Sequence, residues 1–562
     1  MDFSTITVHD LVDRAVRGEF DIPEFQRDFV WRPDQVTALS DSLYRDYPIG
    51  QLLTWEHADE VEPRGAKGAP LPKVWLVDGQ QRATALCLLF GKKPYWWSSA
   101  DDWNHWSEVT NVLAKVGGAD PEIELGLANP VRSSDPRWVG LRSILSIGES
   151  GAGDAGSGPL LEIGRTLLGR LPAPAAAGLT PEILAGRLRA LWEIRARVVP
   201  IATVHREIED VAEIFRRLNQ QGTDIVEADV TLATAASTRA GWVRDEFLPF
   251  LKNLAEAGYD IPTGVAVRAL TAVGTGQVRL QDTPRDFWSG PGFEAAWDST
   301  RQALSFVVGG LVGAGAITSA LLPSRNALIP LVALRAKYPS EEFLFPRALH
   351  WTLLALRDGR YGGSGSTNLA QDLRTIRDSA NFSEAIEGLR GELESGVRVQ
   401  PGEFRERWTW SRPLVLLLYL AMYEHRARDL VTGQRLGHSG SESTPDLGQM
   451  PFLHPFFPKG RTVLRDPHFD YTDEEVNALA NIVFLNQRPK DRRWSNAAPS
   501  TYFEGPAIPG RQLDEQGIPL NRALWEPGRY RDFLLERSKL LAKLSNDYLA
   551  SLLGAPRGSP SA

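Results

Sequence analysis

The chain has little sulphur. Of its 562 residues one is cysteine, Cys87, and three are methionine. A single cysteine permits no disulfide within the chain and no cysteine-based zinc site, and it fits a reducing, cytoplasmic setting. The first ten residues, MDFSTITVHD, show no basic segment followed by an apolar one, so no signal peptide is expected. No internal repeats are found. Positive charge is not in excess: 62 Lys and Arg against 70 Asp and Glu give a net charge of −8. That balance argues against a general nucleic-acid coat while leaving room for a local basic patch. One uncharged run, 303–322, has the length of a membrane span. It holds Gly309, Gly310, Gly313 and Gly315 and lacks a flanking basic cluster, so it reads as a buried helix and loop. No membrane partner is expected.

What is present belongs to a globular protein. The residues are 43% hydrophobic and 23% charged, which excludes disorder of the whole chain. The length asks for two or three domains. Seventeen Trp residues are more than usual. Some serve the core, and Trp also stacks on bases and anchors interfaces.

The pattern is α+β. Residues 6–16 read as a helix and 20–25 as extended. Pro33 suits the first position of a helix carrying Val36, Leu39 and Leu43. Residues 51–55 and 74–77 read as strands. Asp78-Gly79 turns the second strand into a helix over 80–90, with Ala83, Leu86 and Leu89 on one face. Residues 95–180 are expected to be a mobile insertion, richest in Gly and Ser at 147–159. A helix at 181–196, a strand at 198–204 and a helix at 208–218 follow. Residues 226–425 read as helical and 430–450 as loop. A compact mixed unit at 451–505 precedes a closing helix at 525–553. The expected domains are 1–240, a helical middle at 241–430, a unit at 431–553 and a disordered tail at 554–562.

Three constellations in the first half carry chemistry. Val77-Asp78-Gly79-Gln80-Gln81-Arg82 sits at a strand-to-helix turn, where backbone N–H groups and a helix N-terminus converge on one point. Arg82 adds a fork of donors suited to phosphate. Asp78 can hold a divalent metal or orient water, and Gln80 and Gln81 can bond phosphate oxygens. A plain Asp-Gly turn feeding an amphipathic helix explains the same residues. Ile22-Pro23-Glu24-Phe25-Gln26-Arg27, then Val30-Trp31, sets Gln26 and Arg27 between apolar anchors. Phe215-Arg216-Arg217-Leu218-Asn219-Gln220-Gln221-Gly222 fits a helix C-terminus. Taken singly, the last two read as a surface turn and a C-cap.

Taken in order, with Tyr47-Pro48-Ile49-Gly50 between the first two in the chain, these segments resemble the N-terminal domain of the GmrSD-type modification-dependent restriction proteins. The likeness covers roughly residues 5–240, with 95–180 poorly matched. It implies a ParB/sulfiredoxin-like fold and nucleoside triphosphate hydrolysis, of GTP among the candidates. By that resemblance Asp78, Gln80, Gln81 and Arg82 are catalytic, and Gln26, Arg27, Gly79 and Asn219 bind nucleotide. Sulfiredoxin chemistry is not expected, because Cys87 lies in an apolar helix face and reads as an inert core thiol.

The second half ends on a fourth constellation. Leu453-His454-Pro455-Phe456-Phe457-Pro458-Lys459 is followed by Asn481-Ile482-Val483-Phe484-Leu485, then by Asp491-Arg492-Arg493-Trp494-Ser495-Asn496. It resembles the small HNH-like (ββα-metal) nuclease unit that ends many GmrSD-family proteins. The resemblance implies His454 and Asn481 as catalytic residues and His454 and Asp491 as ligands of Mg²⁺ or Mn²⁺. It gives Arg488, Lys490, Arg492 and Arg493 to the DNA backbone. A loop-rich structural cap with a solvated basic run explains the same residues. The chain departs from the family where Pro455 takes the usual position of the general base, since proline cannot accept a proton from water. Either a bulge at Pro455 swings His454 into that role, with Asp491 carrying most of the metal binding, or the unit binds DNA and metal but cuts slowly or not at all.

The expected function is an antiphage, modification-dependent restriction protein that couples NTP hydrolysis to recognition of modified phage DNA and metal-dependent nicking. The alternatives are an NTP-regulated DNA-binding sensor with a degenerate nuclease unit, and a ParB-like partition or scaffold factor. Assembly as a homo-oligomer is left open.

Overall fold

The computed structural model describes residues 1–22, 29–56, 74–97, 100–147, 158–205, 211, 214, 226–239, 241–340, 343–362, 366–394, 396–409, 413–438, 444–460, 463–503 and 509–554. Gln26, Arg27 and Asn219, most of the helix expected at 208–218, most of the Gly/Ser-rich stretch and most of the tail lie outside them. The chain divides into two compact units, Met1–Glu246 and Phe247–Ala562.

The first unit is built on a mixed five-stranded sheet. Its strands are β1 (Asp2–Thr7), β2 (Phe20–Asp21), β3 (Leu52–Trp55), β4 (Val74–Asp78) and β8 (Val198–Val204), in the order β1-β8-β3-β4-β2. β1 runs antiparallel to β8 and β3 antiparallel to β4, while β8 with β3 and β4 with β2 are parallel. Helix α1 (Val8–Val16) starts two residues later than the sequence pattern suggests. Ile6 and Thr7 pair with Val199 and Val198, and the Thr7 hydroxyl accepts the Asp10 N–H at 3.1 Å as the cap. Helix α2 (Pro33–Tyr44) opens on Pro33, and α3 (Gln80–Phe90) ends at Gly91, which adopts φ +68°.

The stretch expected as a mobile insertion is instead largely folded. It holds α4 (Ala100–Val109), α5 (Pro130–Ser134), α6 (Leu141–Leu145), α7 (Gly158–Arg170) and α8 (Ala173–Ala176). It also holds an antiparallel sheet of β5 (Val112–Lys115), β6 (Glu124–Leu127) and β7 (Trp138–Gly140), in the order β6-β5-β7. Val112, Ala114, Leu141, Leu145 and Leu160 are buried in the same core as α1 and α3. The Gly and Ser residues that suggested mobility cluster between two apolar, periodic segments, and those segments decide the packing.

The core explains a second departure. Residues 83–90 of α3 are all buried, so the helix has no solvent face opposite Ala83, Leu86 and Leu89. Helices α1, α2 and α6 pack against it. Cys87 is among these residues, and burial pushes its thiol pKa well up, as an inert core cysteine requires.

The second unit is mainly helical up to Glu424. The uncharged run 303–322 begins in helix Gly292–Gly313, which buries Ala303, Leu304, Val307, Val308 and Leu311. No described helix is long and apolar enough to cross a membrane. The boundary expected at 430 does not separate two bodies. Helix Tyr530–Leu552 packs against both Phe345–Arg357 and Pro413–Glu424, and those two pack on each other. The closing helix thus joins the C-terminal residues to the helical stretch. Strands β9 (Phe452–Pro455) and β10 (Ile482–Leu485) form an antiparallel pair within this unit.

Candidate functional sites

The Asp78–Arg82 turn is held by two glycines. Gly79 is the N-cap of α3 with φ +95°, and a Cβ there would collide with Leu52 on β3. Having no side chain, Gly79 cannot cap the first turn, whose N–H groups precede the first helical bond, from Ala83 N–H to the Gly79 carbonyl. Arg82 folds back one turn. Its Nη2 donates to Asp78 Oδ2 at 3.0 Å, and its Nη1 donates to the Ile49 carbonyl at 2.9 Å. Gly50, with φ +86°, lies against the same guanidinium. Tyr47-Pro48-Ile49-Gly50 is therefore the cradle of Arg82, a role the sequence pattern did not assign.

Gln80 is buried, and Gln81 accepts the Val30 N–H on its Oε1 at 2.9 Å. That bond ties the segment after Gln26 and Arg27 to the first turn of α3. The structure thus gathers Asp78, Gly79, Gln80, Gln81 and Arg82 at one helix start. The Arg82 and Asp78 side chains retain 19% and 32% exposure.

The C-terminal constellation is assembled differently. His454 lies on β9 opposite Val483, and Pro455 lies opposite Ile482, in unbroken register. The bulge that would swing His454 into the base position is absent from this strand pair. His454 is 6% exposed, and its ring is packed between Phe452 and Trp494. Its Nε2 lies 2.9 Å from the Trp494 carbonyl, which can only accept, so Nε2 carries the hydrogen and Nδ1 the lone pair. Burial lowers the His454 pKa, the Trp494 carbonyl opposes that shift, and the Arg488 charge adds to it.

Asn481 is fully buried. Its Oδ1 accepts the Phe457 N–H at 2.8 Å, and its Nδ2 donates to the Phe457 carbonyl at 3.0 Å. An amide that holds both backbone groups of Phe457 clasps a loop. Arg537, from the closing helix, donates to the carbonyls of Ala480 and Ile482 on either side of Asn481, at 2.9 and 2.7 Å. It is fully buried, and desolvation lowers its pKa to about 9. The pattern of apolar residues in the closing helix gave no sign of this second clasp.

Asp491 is exposed and bound to Arg493, at 2.8 Å from Nε and 2.7 Å from Nη2, and that partner holds its carboxyl below the usual range. Arg488, Lys490, Arg492 and Arg493 are all exposed. Among the described residues no group of three His, Cys, Asp or Glu side chains is gathered to hold a metal. The Asp491 carboxylate is committed to arginine, while the Nε2–H bond of His454 to a carbonyl leaves the Nδ1 lone pair as the ring nitrogen able to bind a metal.

Comparison with known proteins bears on the first of these sites. Residues 8–129 match the family model of the GmrSD restriction endonuclease N-terminal domain. The match takes in Asp78 to Arg82 and, running on through β6, part of the stretch expected to match poorly. An uncharacterized protein of Methanocaldococcus jannaschii is 35% identical over 98 residues, which is 15% of this chain and 17% of that protein. The chain thus spans 17% of the length of the curated relative it matches.

Proposed function

We propose that this chain is a restriction-type defence protein acting on DNA, in which the Asp78–Arg82 turn binds and hydrolyses a nucleoside triphosphate. The reading rests on the match of residues 8–129 to a restriction endonuclease domain and on one geometric observation. Arg82 is fixed in advance, by Asp78 and the Ile49 carbonyl, beside a helix N-terminus whose N-cap, Gly79, has no side chain. A guanidinium has five N–H donors and two are used here, so others can take phosphate oxygens without rearrangement. The helix end adds its positive pole to the same place. Asp78 orients Arg82 and keeps a second oxygen for an attacking water. Gln81 positions the segment at Val30. A divalent cation would arrive as the counter-ion of the triphosphate, and GTP is one candidate among the nucleotides.

For the second unit, the amide of Asn481 committed to Phe457 and the carboxylate of Asp491 paired with Arg493 favour a nuclease-like scaffold that binds DNA through Arg488, Lys490, Arg492 and Arg493 without cutting it. The test is one assay on the full chain. Purified protein is mixed with modified and unmodified phage DNA, with Mg²⁺ or Mn²⁺, with and without each NTP, and both phosphate release and strand breaks are scored. Phosphate release that vanishes in Asp78→Ala and Arg82→Ala supports the hydrolytic site. Release that persists in both variants refutes it. Metal-dependent breaks by the wild type would overturn the scaffold reading.

A further inference from the structure

The outer edge of β7 presents an unused donor and acceptor to a cavity. Ala128 N–H bonds to the Asn111 carbonyl, which turns the odd-numbered residues of β5 toward β6. Val116 N–H bonds to the Arg137 carbonyl, which turns the even-numbered ones toward β7, so Ala114 faces Val139. Trp138 and Gly140 therefore point their backbone groups away from β5. Trp138 N–H donates to the Asp135 carbonyl at 3.0 Å, and the Gly140 carbonyl accepts the Ser143 hydroxyl at 2.7 Å. The Trp138 carbonyl and the Gly140 N–H have no such bond among the described residues, and they stand side by side on the edge.

Both residues line a partly open cavity of about 540 Å³ whose lining also includes residues of α7. Its walls include the apolar Val139, Ile144, Ile163 and Leu167. The hydroxyls of Ser143 and Thr166, also at its lining, donate to the carbonyls of Gly140 and Glu162, which leaves their oxygens as acceptors.

We propose that this cavity binds a nucleobase, read along its pairing edge by the Trp138 carbonyl and the Gly140 N–H. The volume lies in the range of small-ligand sites, and apolar walls on two sides suit a flat ring. Every nucleobase carries a donor next to an acceptor on its pairing edge, which complements an adjacent carbonyl and N–H. A peptide strand added to β7 fits less well, because the edge is three residues long and α6 begins at Leu141. The base can belong to a free nucleoside or to an unpaired position in a DNA strand. In the second case the exposed Arg170 at the cavity lining is placed for a phosphate. The inference does not depend on hydrolysis at Arg82.

The backbone itself supplies the test. Gly140 has φ −69°, which proline shares, and a Cβ there meets only the Ser143 hydroxyl, at 3.4 Å. Gly140→Pro therefore removes one N–H, while Gly140→Ala keeps it. Binding of the four deoxynucleosides to the full-length protein is followed by saturation-transfer NMR, with single-stranded and duplex oligonucleotides as further probes and a thermal melt as the check on folding. Nucleosides lack phosphate and so do not report on the Arg82 site. The expected result is binding of at least one nucleoside that Gly140→Ala leaves unchanged and Gly140→Pro weakens about tenfold. Thr166→Trp, from an exposed position on α7, fills the cavity and should abolish binding even if the proline variant does not fold. Tighter binding of single strand than of nucleoside assigns the site to an exposed base in DNA, and the reverse assigns it to a free nucleoside. No binding of any probe by the wild type overturns the proposal, as does binding that neither Gly140→Pro nor Thr166→Trp changes.

Discussion

Arg82 and Gly50 occupy one space. A Cβ on residue 50 would lie 2.5 Å from Arg82 Nη1, the atom that donates to the neighbouring Ile49 carbonyl. The turn at 47–50 is a mould for the guanidinium, and its fit requires a residue without a side chain. Gly50→Ala should lose about 1–2 kcal/mol, because φ +86° is strained for alanine, and it should lose phosphate release as Arg82 is displaced. A thermal melt and a phosphate assay on the same preparation decide it. A variant as active as the wild type would dissolve the mould.

Arg82→Lys tests the fork. A lysine keeps the charge but cannot serve Asp78, the Ile49 carbonyl and a phosphate from one planar group. Turnover should fall about a hundredfold, the usual size for loss of a fixed donor to developing charge. Stability should change by no more than about 1 kcal/mol, since the ion pair is partly exposed. Equal kcat in the two proteins would show that charge alone matters.

His454→Ala should behave as a core substitution. It removes a buried ring packed on Phe452 and Trp494 and leaves the Trp494 carbonyl without its donor. The expected cost is about 2–4 kcal/mol in a denaturant titration, with phosphate release by the first unit unchanged. If the wild type breaks DNA and this variant, still folded, does not, the scaffold reading fails.

Stability should also depend on pH through His350. This side chain is 1% exposed, and neither ring nitrogen has a hydrogen-bond partner among the described residues. Burial, with a smaller push from Arg390, lowers its pKa from 6.5 to about 4. Between those values the unfolded chain holds a proton that the folded chain does not. Its contribution is therefore complete above about pH 6.5 and is lost as pH falls toward 4, by about 3 kcal/mol in all. The lowered pKa of His454 acts in the same direction. Denaturant titrations at pH 7.5 and pH 5 should show a smaller loss for His350→Leu than for the wild type. An equal loss in both would assign the pH dependence to other groups.

Much of the first site was legible because its residues are close in sequence and each has a local cause. Asp78-Gly79 is a turn, Gln80 to Arg82 is the helix start it feeds, and Gly91 stops the helix. The cradle was not legible, since the Ile49 carbonyl meets Arg82 across 33 positions and no pattern of side chains announces a backbone acceptor. The same holds for Asn481. Its partner is the backbone of Phe457, which a motif does not show. The burial of α3 on every side was missed because a period of 3.6 finds one apolar face and is silent on what covers the others. The folded insertion was missed because a Gly/Ser-rich stretch outweighed the apolar spacing on both sides of it.

The enclosure of α3 also sets how a mutational screen of this protein must be read. Residues 80–82 belong to the proposed site and residues 83–90 fill volume, yet they are one continuous helix. Substitutions in the second group create cavities or overpack a full core and lower the amount of folded protein. In a survival screen both groups would score as equally intolerant, and the apparent active site would extend to Phe90. Only a readout that divides activity by abundance would return the boundary to Arg82.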